Sequence, residues 1–156
     1  MNRVMSGSEG MRAVIYSATN EASLRKDIVR PEYLLMGLVR SAEPIVAEIL
    51  NEFGITEDRV EDLIRRNLAP FQTASDEFAG SAFEPAAKSV LESCHGEASA
   101  LGHNDLRAEH ILLALTLDSI APELLDELNV DRAAMRKKIR QRFAAGPGDT
   151  PKTKES

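Results

Sequence analysis

The most reactive side chains of this 156-residue chain are one cysteine and three histidines, Cys94, His95, His103 and His110, which fall within seventeen residues. Thiolate and imidazole groups are the usual ligands of zinc. The spacing, however, does not match a zinc finger, and Cys94 aligns with Ala18 in an internal repeat described below, where a small buried side chain is expected. We therefore predict no metal and no other cofactor, with zinc at these residues as the alternative.

Two glutamates, Glu32 and Glu109, occupy equivalent places in the two halves of the sequence, each in the first turn of a predicted helix. Such a carboxylate offsets the helix dipole by about 0.3–1 kcal/mol, which alone explains a glutamate there. Alternatively, two equivalent carboxylates form two equivalent sites for a cationic group such as a guanidinium. Position alone leaves both interpretations open, and the symmetry favours the second.

Motifs of the common enzyme classes are absent from the sequence. It contains neither the phosphate-binding loop G-x-x-x-x-G-K-[ST] nor the nucleophile elbow G-x-S-x-G. With only three histidines, no Asp, His and Ser triad can be assembled. We predict that the chain is not an enzyme.

The composition indicates an all-α protein of the cytoplasm. Hydrophobic residues make up 43% and aromatic residues 4%, and no segment alternates long enough for a strand. The net charge of −6 argues against a broad face for nucleic acid. A single cysteine fits a reducing compartment, no apolar run approaches the roughly 20 residues of a membrane span, and the start lacks the apolar core of a signal peptide.

Capping residues divide the first half into four short helices within residues 8–67. They are expected to begin after Ser8, at Pro31, at Pro44 and after Thr56. Gly54 is free to take the left-handed conformation that ends the third helix. Apolar residues at helical spacing then predict the buried faces: Val14, Ile15, Ala18, Ala22, Leu34, Leu35, Leu38, Val60, Leu63 and Ile64.

The same pattern restarts after residues 68–83, which are rich in Ser, Ala and Gly. EAS at 21–23 recurs at 97–99, and LNEFGIT (50–56) corresponds to LDELNVD (125–131), with Asn129 replacing Gly54 and Asp131 replacing the capping Thr56. We predict two tandem four-helix repeats, about 8–67 and 84–143, that share one core in a pseudo-two-fold eight-helix bundle. Residues 68–83 would form a linker and 144–156 a disordered tail.

One segment of the second repeat resembles a known family. EASALGHNDLRAEHILLALT (97–116) is similar to E-A-x-x-L-G-H-x-x-I-x-x-E-H-L-L-L-A-L, the pattern of the Clp ATPase N-terminal domain, or Clp R domain. FEPAAKSVLE (83–92) resembles the opening of its second repeat, F-T-P-x-A-K-x-V-L-E, and EASLRKDIVRPEYLLMGLV (21–39) is a more divergent copy. The resemblance covers residues 8–143.

The resemblance implies a helical double repeat that binds protein substrates or adaptors and passes them to an AAA+ unfoldase working with the Clp peptidase. Since this chain carries no unfoldase, it would be a stand-alone, non-enzymatic module: an adaptor, decoy or accessory protein. Its expected partners are protein substrates, adaptors, and Clp ATPase or Clp peptidase subunits, without nucleic acid or membrane.

In the ClpC branch the domain recognises phosphoarginine, with the Glu of each E-H pair holding the guanidinium and a Thr at the start of each repeat holding the phosphate. The resemblance carries these roles to Glu32 and Glu109, and to Ser8 and Glu84. We expect Ser8 to complete a first site with Glu32, and Glu84 a second with Glu109. A carboxylate in place of Thr repels phosphate, so the second site should prefer unmodified arginine.

Three departures from the family pattern concern this site. Tyr33 replaces the histidine of the first E-H pair, Gly7 replaces an aromatic residue, and Glu84 replaces the second Thr.

A basic run near the end of the chain supports an alternative function, a small helical regulator that binds nucleic acid. The run comprises Arg136, Lys137, Lys138, Arg140 and Arg142. Because it lies in the last turns of the final predicted helix, where cations complement the helix dipole, we favour a solvated helix end over a DNA-binding face.

Overall fold

The computed structural model describes residues 7–41, 43–68, 82–117 and 119–144. Within these ranges the chain forms eight helices and no strand, which confirms the predicted all-α fold. The helices are α1 (Glu9–Leu24), α2 (Pro31–Val39), α3 (Pro44–Glu52), α4 (Glu57–Leu68), α5 (Pro85–Ala100), α6 (Ala108–Leu115), α7 (Pro122–Asp126) and α8 (Arg132–Ala144). Helices α1–α4 and α5–α8 are the two repeats.

The helices begin at the residues that the sequence predicted. Ser8 Oγ accepts a hydrogen bond from the Met11 backbone N–H at 3.1 Å, and Thr56 Oγ1 accepts one from Arg59 at 3.3 Å. Pro31 and Pro44 stand at the first position of their helices, where a missing N–H leaves no bond unmade.

The predicted helix ends are also present. Gly54 has a φ of +75° and Asn129, its counterpart in the second repeat, has a φ of +60°. Asn tolerates this left-handed conformation better than most residues, so the exchange preserves the turn. Asp131 then caps α8, because its Oδ1 accepts a hydrogen bond from the Ala134 N–H at 3.1 Å.

One continuous core contains apolar side chains of both repeats. Helices α2 and α6 lie at its centre and pack against each other. In α2, Gly37 lies against the backbone carbonyl of Val14, and a Cβ there would collide with it, which explains a glycine inside a helix. Of the side chains predicted to be buried, only Ile15 remains partly exposed.

Between the first and second helices the second repeat has one additional residue. The backbone N–H of Asp27 bonds to Ala22 at 2.9 Å, and that of His103 bonds to Ala98 at 2.9 Å, which is an offset of 76 residues. The following bridge residues, Val29 and Leu106, are 77 apart. The insertion therefore lies between 103 and 106, next to a predicted site residue.

Two predictions lie outside the described residues: most of the linker, at 69–81, and nearly all of the tail, at 145–156. Among the helices that the structure describes, none has the length and apolar content needed to cross a lipid bilayer.

Candidate ligand-binding clefts between the repeats

Two short backbone bridges join the repeats crosswise. The residue before α1, Gly7, pairs with Leu106 before α6, and Phe83 before α5 pairs with Val29 before α2. The Ser8 N–H donates to the Leu106 carbonyl at 2.6 Å, and the Glu84 N–H donates to the Val29 carbonyl at 2.8 Å. The start of each repeat is thus attached to the second helix of the other repeat.

This crossing corrects the expected grouping of the site residues. The sequence analysis grouped Ser8 with Glu32 and Glu84 with Glu109. In the structure Glu84 and Glu32 line one cavity, while Ser8 is bonded to the segment that leads into Glu109. The repeats exchange their starts because each packs on the other, a relation that the linear repeat does not reveal.

The first cleft is a cavity of about 330 Å³ around Glu32. Three carboxylates line it, from Glu32, Glu84 and Glu123, together with the apolar residues Pro31, Ala86, Ile120, Ala121 and Leu124. Burial raises the pKa of Glu32, and the nearby charges of Glu84 and Glu127 raise it further. The cleft therefore combines apolar walls with an excess of negative charge.

Glu84 takes part in an ion-pair network at this cleft. It stands at the N-cap of α5, but its side chain makes no capping hydrogen bond. Instead, Arg30 donates to its Oε2 at 2.9 Å and to Asp27 Oδ2 at 2.8 Å. A simple capping role for Glu84 is therefore wrong, and its carboxylate ties the second repeat to the first.

The second cleft is a smaller cavity of about 170 Å³ beside Glu109. It is lined by Glu43, Pro44, Ile45, Val46, Arg107, Glu109 and Phe143. Glu109 is only 2% exposed, and its Oε2 has no hydrogen-bond partner. The nearest cationic nitrogens, Arg107 Nη1 and His103 Nδ1, are each 3.9 Å from that oxygen.

These surroundings hold the Glu109 carboxyl close to neutrality. Burial raises its pKa to about 7, the Arg107 charge lowers it, and the carboxylates of Glu43 and Asp105 raise it. Arg107 compensates poorly because its Nε binds Asp105 Oδ1 at 2.8 Å. A cation arriving in this cavity would find an acceptor oxygen that nothing in the described part of the chain satisfies.

The two histidines of the family motif form a hydrogen-bonded pair at the base of α6. The Arg107 N–H donates to His110 Nδ1 at 2.8 Å, so the neutral ring carries its proton on Nε2, which lies 2.8 Å from His103 Nδ1. Burial lowers the pKa of His110 to about 4, and the neighbouring His103 and Arg107 lower it as well. His110 is therefore neutral at physiological pH.

The structure does not bring together the four residues considered for zinc. Cys94 is in the core, where its thiol lies 3.3 Å from the Val90 carbonyl, and His95 is exposed. A different set, His103, Glu109 and His110, places one possible ligand atom from each within 4.8 Å. Since His110 Nε2 must carry a proton while Nδ1 accepts the Arg107 N–H, that nitrogen is a donor and fits a metal poorly.

In the first repeat, a different pair of residues takes the place of the two histidines. The Tyr33 hydroxyl donates to Asp27 Oδ2 at 2.8 Å, at the positions that correspond to His110 and His103. The sequence analysis noted Tyr33 as a departure but missed Asp27 as its partner. The coincidence of two changes at positions joined in space was the available signal.

Most of the basic run on α8 is engaged within the protein. Arg136 binds Glu97 at 3.1 Å, Lys138 binds Glu52 at 3.3 Å, and Arg142 binds Glu48 at 3.0 Å. Lys137 and Arg140 are exposed. These ion pairs leave less positive charge for phosphate groups than the sequence suggests.

Comparison with known proteins identifies the family. The model of the Clp repeat (R) N-terminal domain matches residues 7–118 and 82–156. ClpC of Staphylococcus aureus (strain USA300), an ATP-dependent Clp protease ATP-binding subunit, is 31% identical over 135 residues, which are 85% of this chain but 16% of ClpC. The chain thus matches only a small part of that protein.

Solved structures share the fold. The N-terminal domain of ClpD from Arabidopsis thaliana superposes with a TM-score of 0.67 at 21% identity, covering 88% of this chain and 94% of that domain. The Hsp104 N-terminal domain of Candida albicans gives a TM-score of 0.71 at 15% identity, covering 89% and 93%. With its two helical repeats and the family match over most of its length, the chain belongs to the Clp repeat (R) N-terminal domain family.

Proposed function

We propose that this chain is a non-enzymatic protein-binding module of the Clp proteolytic system, acting as an adaptor, decoy or accessory protein in the cytoplasm. Its ligands are protein substrates, adaptors, or Clp ATPase or peptidase subunits. Family membership and the S. aureus ClpC relative support this proposal. The observation that carries it is the carboxylate of Glu109, buried beside a cavity with one oxygen unpartnered.

That observation favours a binding role because a buried polar group without a partner costs about 1–3 kcal/mol, and more when it is charged. A cationic side chain of a protein ligand would supply the missing hydrogen bonds. The cleft around Glu32 has the same character, with three carboxylates and an apolar wall along which the methylenes of an arginine or lysine can lie. Both clefts are therefore proposed sites for basic side chains.

Four residues are proposed to form these sites, in the grouping that the structure gives. Glu32 and Glu84 serve the first cleft. Glu109 serves the second, and Ser8 holds the start of α1 beside it. Since Glu84 and Glu123 add negative charge to the first cleft, an unmodified cation suits it better than a phosphorylated one.

Affinity capture of a Clp subunit tests the proposal. Tagged wild-type protein and an Glu32→Gln/Glu109→Gln double variant are used to capture partners from the native cell, and Clp ATPase and peptidase are quantified by mass spectrometry. A double variant at exposed positions, Glu92→Gln/Glu123→Gln, would touch the first cleft, so Glu92→Gln alone is the control. We expect Clp subunits or their substrates with wild type and control, and at least a tenfold loss with the double variant. Equal recovery from all three proteins would refute the proposed sites, and an absence of Clp components would refute the function.

A further inference from the structure

Glu43 is a carboxylate that the sequence analysis did not single out. It immediately precedes α3, and its side chain extends to the start of α1. A Cβ added at Gly10 would overlap the Glu43 carboxylate, so the second residue of α1 must be small for this approach. Glu43 also lines the cavity of Glu109. It therefore connects the beginning of α1 with the second cleft.

The start of α1 is a position where an anion is favoured. The first N–H groups of a helix have no partner within the helix, and the helix dipole adds partial positive charge there. Ser8 Oγ accepts the N–H of Met11, the third residue of the helix. The carboxylate of Glu43 lies against the residue before it, Gly10. The chain thus supplies its own anion where the phosphate of a ligand would otherwise lie.

The charges around the cavity then determine which ligand fits. Glu43 and Glu109 both contribute carboxylates, and Arg107 is already bound to Asp105. The remaining lining is apolar, from Ile45, Val46 and Phe143 among others. Two carboxylates beside an apolar wall match a guanidinium, whose five N–H donors can bind two acceptors at once, better than the compact ammonium of lysine.

We propose that the cavity of Glu109 accepts the unmodified guanidinium of an arginine side chain from a protein partner, and that Glu43 is the specificity-determining residue that excludes phosphorylated arginine. This inference rests on the proposed function, since it names the ligand of one of its sites. Exclusion follows from like-charge repulsion and from occupation of the helix start, and neither would remain without the Glu43 carboxylate.

Calorimetric titration with short capped peptides tests the proposal. The peptides are identical except for one residue, which is arginine, phosphoarginine, lysine or citrulline. All titrations use a Glu32→Gln background, so that the first cleft does not contribute. The proteins compared carry no further change, Glu43→Gln, Glu109→Gln, or the surface control Glu92→Gln, and thermal unfolding verifies that each is folded.

We expect the background protein to bind the arginine peptide at least tenfold more tightly than the phosphoarginine or citrulline peptide, with lysine between them. Glu43→Gln should raise the affinity for phosphoarginine at least tenfold and weaken arginine binding severalfold. Glu109→Gln should abolish binding of arginine, and Glu92→Gln should change nothing.

Three results would overturn the inference: tighter binding of phosphoarginine by the background protein, an equal effect of Glu43→Gln on both peptides, or no binding of any peptide. The proposed function would survive each of them if capture of Clp components still depended on Glu32 and Glu109. It would fail separately if that capture were lost while the peptide preference held.

Discussion

The hydroxyl of Tyr33 donates a hydrogen bond of 2.8 Å to Oδ2 of Asp27, a fully buried carboxylate. At the equivalent positions of the second repeat, His110 and His103 are joined by a hydrogen bond of the same length. The chemistry differs, but each pair connects the end of the turn to the first turn of the central helix. The repeats have thus diverged in residue type while keeping the same connection.

We predict that Tyr33→Phe destabilises the protein by about 1–3 kcal/mol, because Asp27 loses one of its hydrogen-bond donors while remaining buried. Urea denaturation measures the change. Tyr16→Phe is the matched control, since Tyr16 is 74% exposed and its substitution should stay within about 0.5 kcal/mol. Equal effects at both positions would show that the Tyr33 hydroxyl contributes nothing.

Glu109 should make stability depend on pH. Its pKa is raised from 4.5 to about 7, so the folded state holds a proton that the unfolded state releases, and stability falls as pH rises through that window. Glu109→Gln removes this loss. Relative to wild type, the variant should therefore gain about 2–3 kcal/mol between pH 5 and pH 8.

Denaturation curves at the two pH values measure this gain, and the titration of His110 cancels because both proteins contain it. The same measurements on Glu92→Gln give the baseline for removing an exposed carboxylate. A stability difference between wild type and Glu109→Gln that stays constant with pH would contradict the raised pKa.

The two repeats should unfold as one unit. Leu112 is fully buried in α6, in the core that both repeats share. Leu112→Ala should therefore cost about 2–5 kcal/mol and weaken both repeats together. Hydrogen exchange followed separately in α1–α4 and α5–α8 is the measurement. Leu24→Ala, at a position 73% exposed, is the control, and loss of protection confined to the second repeat would refute the shared core.

Duplex DNA should not bind with appreciable affinity. Arg136, Lys138 and Arg142 are held in ion pairs, and the chain carries a net charge of −6. A fluorescence titration at low and at moderate salt measures binding. Tight binding at low salt that weakens steeply as salt rises, and that disappears in Lys137→Ala/Arg140→Ala, would favour the nucleic-acid alternative instead.

The helices could be predicted because their boundaries depend on local chemistry. Ser8, Pro31 and Thr56 fix helix starts through hydrogen bonds or a fixed φ angle that involve only near neighbours. Gly54 and Asn129 fix helix ends in the same local way. Such signals are visible in the sequence whether or not the tertiary structure is known.

The clefts could be predicted only in part, because they depend on contacts between distant segments. Glu32 and Glu109 stood out through their symmetry, but the partner of Glu32 is Glu84, 52 residues away. The crossed bridges that bring such pairs together leave no periodic signal. Glu43 has no equivalent role implied by the repeat, and only its approach to Gly10 reveals it.

The central claim is that the two clefts between the repeats bind cationic side chains, and amide chemical-shift mapping with a capped arginine peptide tests it most directly. The account predicts saturable shifts concentrated at residues 31–32, 84–86 and 120–124 of the first cleft and at 43–46 and 107–109 of the second. Glu32→Gln should remove the first group and Glu109→Gln the second. Shifts confined to α4 or the exposed face of α8, or shifts unchanged by both substitutions, would contradict it.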